Sequence, residues 1–355
     1  MSTMPCIDGE VILGVDTHAE THTAALADPI GRTLATTTVP ATRRGHRALI
    51  KWALLRGTVR AAGVEGTGSY GASLARFLAL EGVEVIEITR PARKSRRHLG
   101  KNDTRDAEAA AKAVLSGEAT ALPKPRNGIV ESIRVLHHAR ASAVKSRTQA
   151  ALQLRNLIIT APDELREPLA DLTTKQAVAR CARIRRSGGL DTVAATRKAL
   201  RTLARRWQAL DAEVRELDQD LKRLTAQAAP RLLAQSGIGR ETAAKLLIVA
   251  GDHPDRLRSD AAFAALCGAS PVEASSGKTR RHRLNRGGDR QGNCALWTIA
   301  TNRMLHHEET RAYVERRTHE GLSGPEIRRC LMRHLVRRIY PLLRADLRAA
   351  TTVPT

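Results

Sequence analysis

Residues 10–16 read Glu-Val-Ile-Leu-Gly-Val-Asp, an apolar run from Val11 to Val15 that stops at Asp16. A run this short and this rich in β-branched residues suits a strand buried on both faces. Two more strand patterns follow at 22–27 and 33–39, joined by the turn Asp28-Pro29-Ile30-Gly31. Beyond them the period changes. A helix is expected over 44–56, with Leu49, Ile50, Ala53 and Leu54 on one face. Residues 59–64 make a fourth strand ending at Glu65, 69–80 a helix, and 83–88 a fifth strand. An alanine-rich helix then starts near Asp103 and runs to about Leu115. The order β-β-β-α-β-α-β-α implies a mixed α/β sheet.

Pro123 and Pro125 mark a linker, after which the pattern is helical. Leu200, Leu203, Trp207, Leu210, Val214, Leu217, Leu221 and Leu224 alternate spacings of three and four, the seam of a coiled coil. A helix near 129–159, carrying Ile133, Leu136, Val144, Leu154 and Ile158, offers an antiparallel partner. Packing within one chain and dimerisation both satisfy the pattern. Pro230 ends the seam, and a third unit follows. It opens with Gly237-Ile238-Gly239 between helical stretches. Such a turn either joins two helices or offers backbone N–H groups to a phosphate, as in a helix-hairpin-helix. The expected division is 1–122, 123–230 and 231–355.

Composition narrows the function. Lys and Arg total 59 against 36 Asp and Glu, a formal charge of +23. That excess suits a polyanion, since every neutralised phosphate releases counterions. Aromatic residues make up 2% of the chain, so its cores must be largely aliphatic. No apolar run approaches the ~20 residues of a membrane span. Cys6, Cys181, Cys267, Cys294 and Cys330 are scattered, without a Cys-x-x-Cys pair, which argues against a disulfide framework and a zinc ribbon. With no secretory pattern at the N-terminus, a reducing cytoplasm is the expected location.

Four carboxylates stand out by position. Asp16 and Glu65 end strands, and Asp103 and Asp106 share one helix face. Ligands gather at strand ends in open α/β sheets, and clustered carboxylates call for a cation between them. An oxygen donor set suits Mg²⁺ or Mn²⁺, and a pair of such ions supports phosphoryl transfer. Two other patterns compete. Gly66-Thr67-Gly68-Ser69-Tyr70-Gly71, with Glu87 on the next strand, matches a dinucleotide fingerprint, but three strands precede it. His18-Ala19-Glu20-Thr21-His22 resembles a zinc-protease motif, but its Glu is displaced and its surroundings are β.

A further constellation lies at 271–290. Ser275, Ser276 and Gly277 are followed by Lys278, Arg280, Arg281, Arg283, Arg286 and Arg290. A serine there could attack phosphorus while the cations stabilise the developing charge. The stretch reads equally as a Ser-Gly turn with phosphate-anchoring arginines. A later helix carries Arg328, Arg329, Arg333, Arg337 and Arg338, another backbone-contacting face.

Gly14-Val15-Asp16, Val64-Glu65-Gly66-Thr67-Gly68-Ser69-Tyr70 and Lys101-Asn102-Asp103-Thr104-Arg105-Asp106-Ala107 come in an order that resembles the IS-one-ten family of transposases. The Gly237-Ile238-Gly239 turn and the stretch from Pro271 through Gly277 resemble that family's C-terminal domain. The resemblance spans nearly the whole chain. It implies an RNase H-like, RuvC-like N-terminal domain whose metal-binding acids fall on Asp16, Glu65, Asp103 and Asp106. It also implies a helical coiled-coil middle and a mostly α-helical C-terminal domain whose nucleophile falls on Ser276. The family further implies donor and target DNA, a structured noncoding bridge RNA as guide, a dimer or tetramer, and a bacterial host. The sequence departs from the family in three places: Asn102 stands where Thr is common, Ser275 adjoins Ser276, and Gly292 sits in a usually bulkier stretch. The expected activity is that of a DNA transposase or recombinase. The competing expectation is a RuvC-like endonuclease in which water attacks.

Overall fold

The structure is a computed structural model, describing residues 9–88, 102–185, 188–189, 191–275 and 282–351. The chain forms two compact units, Met1–Gly128 with Ala250–Ala262, and Ile129–Val249 with Phe263–Val353.

The first unit is built on five strands: β1 (Glu10–Thr17), β2 (Thr21–Ala27), β3 (Thr33–Pro40), β4 (Thr58–Glu65) and β5 (Glu84–Ile88). Their order in the sheet is β3-β2-β1-β4-β5. β1 pairs antiparallel with β2 and parallel with β4, and β4 pairs parallel with β5. The tight turn after β2 is held by Asp28, whose Oδ1 accepts from the Ile30 and Arg32 N–H groups at 3.1 and 2.8 Å. Because successive side chains alternate, each strand feeds two layers. Val11, Leu13 and Val15 meet Ala24 and Leu26 and the helices α1 (Arg43–Leu54) and α2 (Ala72–Leu80) on one face. Ile12, Ala61 and Ile86 face the opposite way, against α3 (Asp103–Leu115). This is the mixed α/β sheet expected from the alternating patterns, with β1 buried along almost its whole length.

Glycine sets how closely α3 lies on the sheet. A Cβ on Gly14 would stand 2.0 Å from the Ala107 carbonyl oxygen and 2.4 Å from the Ala111 nitrogen. On the neighbouring strand, a Cβ on Gly63 would stand 2.7 Å from the Ala110 oxygen. The two glycines, with Ala107, Ala110 and Ala111 fully or almost fully buried opposite them, bring helix backbone against strand backbone.

The second unit is helical apart from one short hairpin among its described residues. Its longest helices are α4 (Ile129–Ile159) and α7 (Thr192–Ala228), with the short α5 (Asp163–Arg166) and α6 (Thr174–Ala182) between them. Arg140 binds Asp218 and Arg147 binds Asp211, while Leu154 shares a cluster with Ala204. Numbers rise on one helix as they fall on the other, so the pair is antiparallel. The seam keeps Leu200, Val214 and Leu221 of the one read from the sequence and departs from it at the other positions. The buried positions on α7 include Leu200, Ala204, Asp211, Val214, Leu221 and Thr225. Leu203, Leu210, Leu217 and Leu224 are half-buried beside that line. Small and acidic residues face α4 because its arginines complete them: Asp211 accepts from Arg147, whose guanidinium also lies 5.8 Å from the Trp207 ring.

After α7 come α8 (Pro230–Leu233), α9 (Arg240–Ala250), α10 (Asp260–Leu266), the strands β6 (Val272–Glu273) and β7 (His282–Arg283), α11 (Arg290–His306), α12 (Glu308–His319) and α13 (Gly324–Thr351). The buried carboxylate of Asp346 on α13 accepts from the Arg231 and Leu232 N–H groups at 3.3 and 3.1 Å. It thereby satisfies the start of α8, which has no side-chain cap of its own. No described helix is long and apolar enough to cross a membrane.

Candidate functional site

Strand register assembles the acids. Val15 on β1 stands opposite Val64 on β4, so the next residues, Asp16 and Glu65, leave adjacent parallel strands together. By alternation both point to the face that carries α3. Both are buried, at 5% and 8% exposure, although carboxylates are seldom buried without partners. Asp103 and Asp106 lie in the first turn of α3, held over the strand ends by the glycine contacts at Gly14 and Gly63. Asn102 caps that helix, its side chain accepting from the Thr104 N–H at 3.0 Å. Asn here does the capping that Thr also does, so the departure from the family motif leaves the helix start intact. Asp103 itself is not the cap, which leaves its carboxylate to the cluster.

Glu65 is fixed from behind. The Thr17 hydroxyl donates to the Glu65 carbonyl at 2.8 Å. Gly66, at φ +67°, turns the chain so tightly that a Cβ there would stand 2.9 Å from the Thr17 hydroxyl. Its carbonyl receives the Ser69 and Gly71 N–H groups at 2.8 and 3.0 Å. The glycines that mimic a dinucleotide fingerprint therefore shape the turn behind Glu65. Glu87, the would-be ribose ligand, lies on β5 with Arg256 3.9 Å away.

One member of the cluster was not anticipated. His18 Nε2 lies 3.2 Å from Asp16 and 3.4 Å from Asp103. Ligand atoms of Asp16, His18 and Asp103 all fall within 4.8 Å of one another. His22, its companion in the zinc-like motif, faces the other side of the sheet and stacks on His46 with ring centroids 5.4 Å apart. The two histidines of that motif are thus parted by the sheet. The signal for His18 was its position two residues after a strand-ending acid, in the tight turn that its N–H closes on Thr21.

Burial pushes the Asp16 carboxyl up from its ordinary value; His18 pulls against that, and Glu65, Asp103 and Asp106 add to it. Like charges around one carboxylate favour its protonated form, and a bound cation would relieve them. Asp16 Oδ2 is moreover buried with no hydrogen bond, the His18 Nε2 standing 3.2 Å away. Among the described residues, the grouped donors are the carboxylates of Asp16 and Asp103 with the His18 imidazole, a set consistent with a divalent ion.

The second unit carries the other residues singled out in the sequence. β6 and β7 pair with Val272 opposite Arg283 and Glu273 opposite His282. Asn285 ties the base of this hairpin by donating to the Ser270 hydroxyl at 2.7 Å. Ser275 follows β6 and is exposed. Ser276, Lys278, Arg280 and Arg281 lie outside the described residues. Arg283, Arg286 and Arg290 are exposed beyond them. Asp289 caps α11, and a Cβ on Gly292 would stand 2.9 Å from the Cys267 sulfur, which explains glycine where bulk is usual. Arg333 and Arg337 line a groove beside the hairpin. Gly237 sits at φ +78°, and the Arg303 guanidinium donates to the Ser236 carbonyl at 2.8 Å. The Gly239 N–H donates to the Thr242 hydroxyl at 3.1 Å, and the Ile238 N–H to Gln235.

A family model for the DEDD-type IS110 transposase, described as "Transposase", matches residues 13–160. A second, described as "Transposase IS116/IS110/IS902 family", matches residues 229–315. A search of curated proteins finds no match. The first match covers the sheet from Leu13 on β1 onward and all four acids, and the second covers the Gly-x-Gly turn and the serine hairpin. With these matches falling in order on the motifs that the sequence shares with the family, the chain belongs to the IS116/IS110/IS902 family of transposases, enzymes that cut and join DNA.

Proposed function

We propose that the chain is an RNA-guided DNA recombinase that exchanges strands through a serine nucleophile and an acid-bound divalent metal. The observation that carries the reading is the placement of Asp16 and Glu65 at adjacent parallel strand ends, on one face, beneath the helix turn bearing Asp103 and Asp106. The strand order β3-β2-β1-β4-β5, antiparallel then parallel, supports an RNase H-like fold for the 1–122 module. The antiparallel α4–α7 pair supports a coiled-coil packing of 123–230 within one chain, and the protein would work as a dimer or tetramer. Module 231–355 would hold DNA through the arginines of the hairpin and of α13.

Asp16, Glu65, Asp103 and Asp106 would hold Mg²⁺ or Mn²⁺, with His18 beside them. When bound, such ions stabilise charge on the attacking and leaving oxygens of a phosphodiester. The protein's own work is positional. The Thr17 and Gly66 contacts fix the Glu65 backbone, the Asn102 cap fixes the start of α3, and burial excludes water from Asp16. Ser276 would attack phosphorus, forming a Ser–O–P bond as the phosphorus–oxygen bond to the departing sugar breaks. The serine proton is transferred overall to the departing sugar hydroxyl. Attack by a hydroxyl of the second strand reverses the step and rejoins the DNA.

Gly237 and Gly239 would frame a helix-hairpin-helix-like turn against the DNA backbone. The Gly239 N–H is already engaged by Thr242, so that contact calls for a shift of the Thr242 hydroxyl. The guide would be the element's noncoding RNA. A protein with 2% aromatics and a charge of +23 is suited to phosphates rather than base edges, so base pairing supplies the sequence reading.

The test is a protein–DNA adduct assay with donor DNA, target DNA and the RNA. Wild-type protein should give an adduct that survives denaturation; Ser276→Ala should not, and Ser275→Ala should. Asp106→Ala should lose strand exchange while keeping RNA binding. Cleavage without any adduct would favour a hydrolytic nuclease, and accurate recombination without RNA would overturn guidance.

A further inference from the structure

The second unit holds a groove of about 850 Å³ between the β6–β7 hairpin, α11 and α13. Its walls carry Arg283, Arg317, Arg328, Arg329, Arg333 and Arg337. The acid among them, Glu326, is turned to the start of α13, where it accepts from the Ser323 hydroxyl and N–H at 2.6 and 3.0 Å. Arg317 is paired with Glu320. With Arg283, Arg328, Arg329, Arg333 and Arg337 on its walls beside the one acid Glu326, cations predominate in the groove lining. His334 records that field: burial lowers its pKa, and the charges of Arg337, Arg317 and Arg333 lower it further.

An aromatic ring stands in this basic setting. Trp297 on α11 is 45% exposed and lines the groove. The chain has three tryptophans among 355 residues, and Trp52 and Trp207 are half-buried against hydrophobic clusters. A tryptophan left open to water in so aromatic-poor a chain forgoes burial of a large apolar surface. Arg328 lies 5.2 Å from the Trp297 ring centroid, which braces the indole from the α13 side. A flat π surface beside several guanidinium groups is the combination that holds an unpaired nucleotide, base on the ring and phosphates on the cations. The groove volume lies in the range that holds a molecule of nucleotide size.

We propose that Trp297, braced by Arg328, is a stacking platform for an unpaired base of the DNA strand handled by this unit, with Arg329, Arg333 and Arg337 along its phosphates. The site deepens the reading of the chain as a DNA recombinase and rests on it. DNA is the expected occupant because Arg283 of the serine hairpin lines the same groove. Strand exchange requires paired bases to open, and a platform there would keep one from re-pairing.

The test uses full-length protein in EDTA, so that no chemistry occurs. Trp52→Phe and Trp207→Phe together leave Trp297 as the sole tryptophan. Three probes are compared: a 12-nucleotide oligo-dT strand, a fully paired duplex, and inorganic polyphosphate. The single strand should quench Trp297 fluorescence saturably; the duplex and polyphosphate should bind with little quenching. In the otherwise native protein, Trp297→Ala should weaken single-strand binding roughly 5- to 150-fold. Duplex affinity should stay within about twofold. Trp297→Phe should recover most of the loss, which guards against a folding defect, and Arg328→Met should give a smaller loss. Equal quenching by polyphosphate, equal losses on both DNA forms, or unchanged single-strand affinity in Trp297→Ala would each overturn the platform. If wild-type protein bound neither DNA form, the recombinase reading would fail first, so the two failures are distinct.

Discussion

Replacing Gly14 by alanine should disable the acid cluster without touching any acid. The new methyl group would stand 2.0 Å from the Ala107 oxygen, 2.4 Å from the Ala111 nitrogen and 2.9 Å from the Ala111 Cβ. Carbon-to-heavy-atom contacts relax near 3.5 Å, so α3 must retreat by roughly 1.5 Å or tilt by an equivalent amount. Two of the three obstacles are helix backbone, which no rotamer change removes. Overpacking of this kind costs about 1–3 kcal/mol, against a gain below about 1 kcal/mol from the stiffer unfolded chain. The functional cost should exceed the stability cost. Asp103 and Asp106 ride on the displaced helix, and a misplacement near 1 Å removes about 100-fold in rate where groups must converge. Denaturant midpoints would give the first number, and strand cleavage in Mg²⁺, well below the melting temperature, the second. Gly324→Ala is the control, since a Cβ there meets nothing within 4 Å. A Gly14→Ala protein with wild-type stability and activity would refute the claim that glycine sets the helix–strand distance.

Other outcomes follow from the same geometry. Burial, and then His46, hold His22 at about 4, below the ordinary 6.5, so the unfolded chain takes up a proton first. Stability should therefore be complete above about pH 6.5 and fall by up to about 3 kcal/mol towards pH 4, a slope that His22→Phe should flatten in denaturation series. Asp346→Ala strands the Arg231 and Leu232 N–H groups and should cost about 1–3 kcal/mol, with Asp346→Asn milder in thermal melts. Asp16→Asn relieves repulsion among the acids, so it should raise the melting temperature in EDTA and abolish any rise on adding Mg²⁺; a full Mg²⁺ response in that variant would remove Asp16 from the ligand set.

The first unit was legible because its periods are pure. Val11 to Val15 reads as a buried strand, and Asp103 to Leu115 keeps alanines on one face, so the succession of strands and helices came from pattern, whereas the sheet order β3-β2-β1-β4-β5 came from the structure. The four acids were visible because each ends or begins such an element. His18 was not, since what carries its ring to Asp16 and Asp103 is the closure of a tight turn. The α7 seam held at Leu200, Val214 and Leu221, while Leu203, Leu210, Leu217 and Leu224, a heptad by themselves, are only half-buried. The phase that won places Asp211 inside, which hydrophobicity alone would never choose and which Arg147 on a distant helix makes affordable. The need for glycine at Gly14 and Gly63 shows only in the structure, where α3 backbone lies against both. Ser276 rests on sequence resemblance, as it lies outside the described residues.

The ion pairs of the α4–α7 rod set a vernier. Arg140 with Asp218 and Arg147 with Asp211 are one heptad apart on both helices. If α7 slid by seven residues, aliphatic contacts would largely re-form, but Arg147 would meet Ala204 and Asp218 would meet Ile133. Stranding one charge at each end penalises the slip, as polar residues do in fixing coiled-coil register. The rod can therefore be inherited in longer or shorter editions only when both helices change by the same whole heptad. Each such step alters its length by about 10.5 Å. Related chains should differ in rod length by that quantum, and a lone insertion of one to six residues in either helix should be rare.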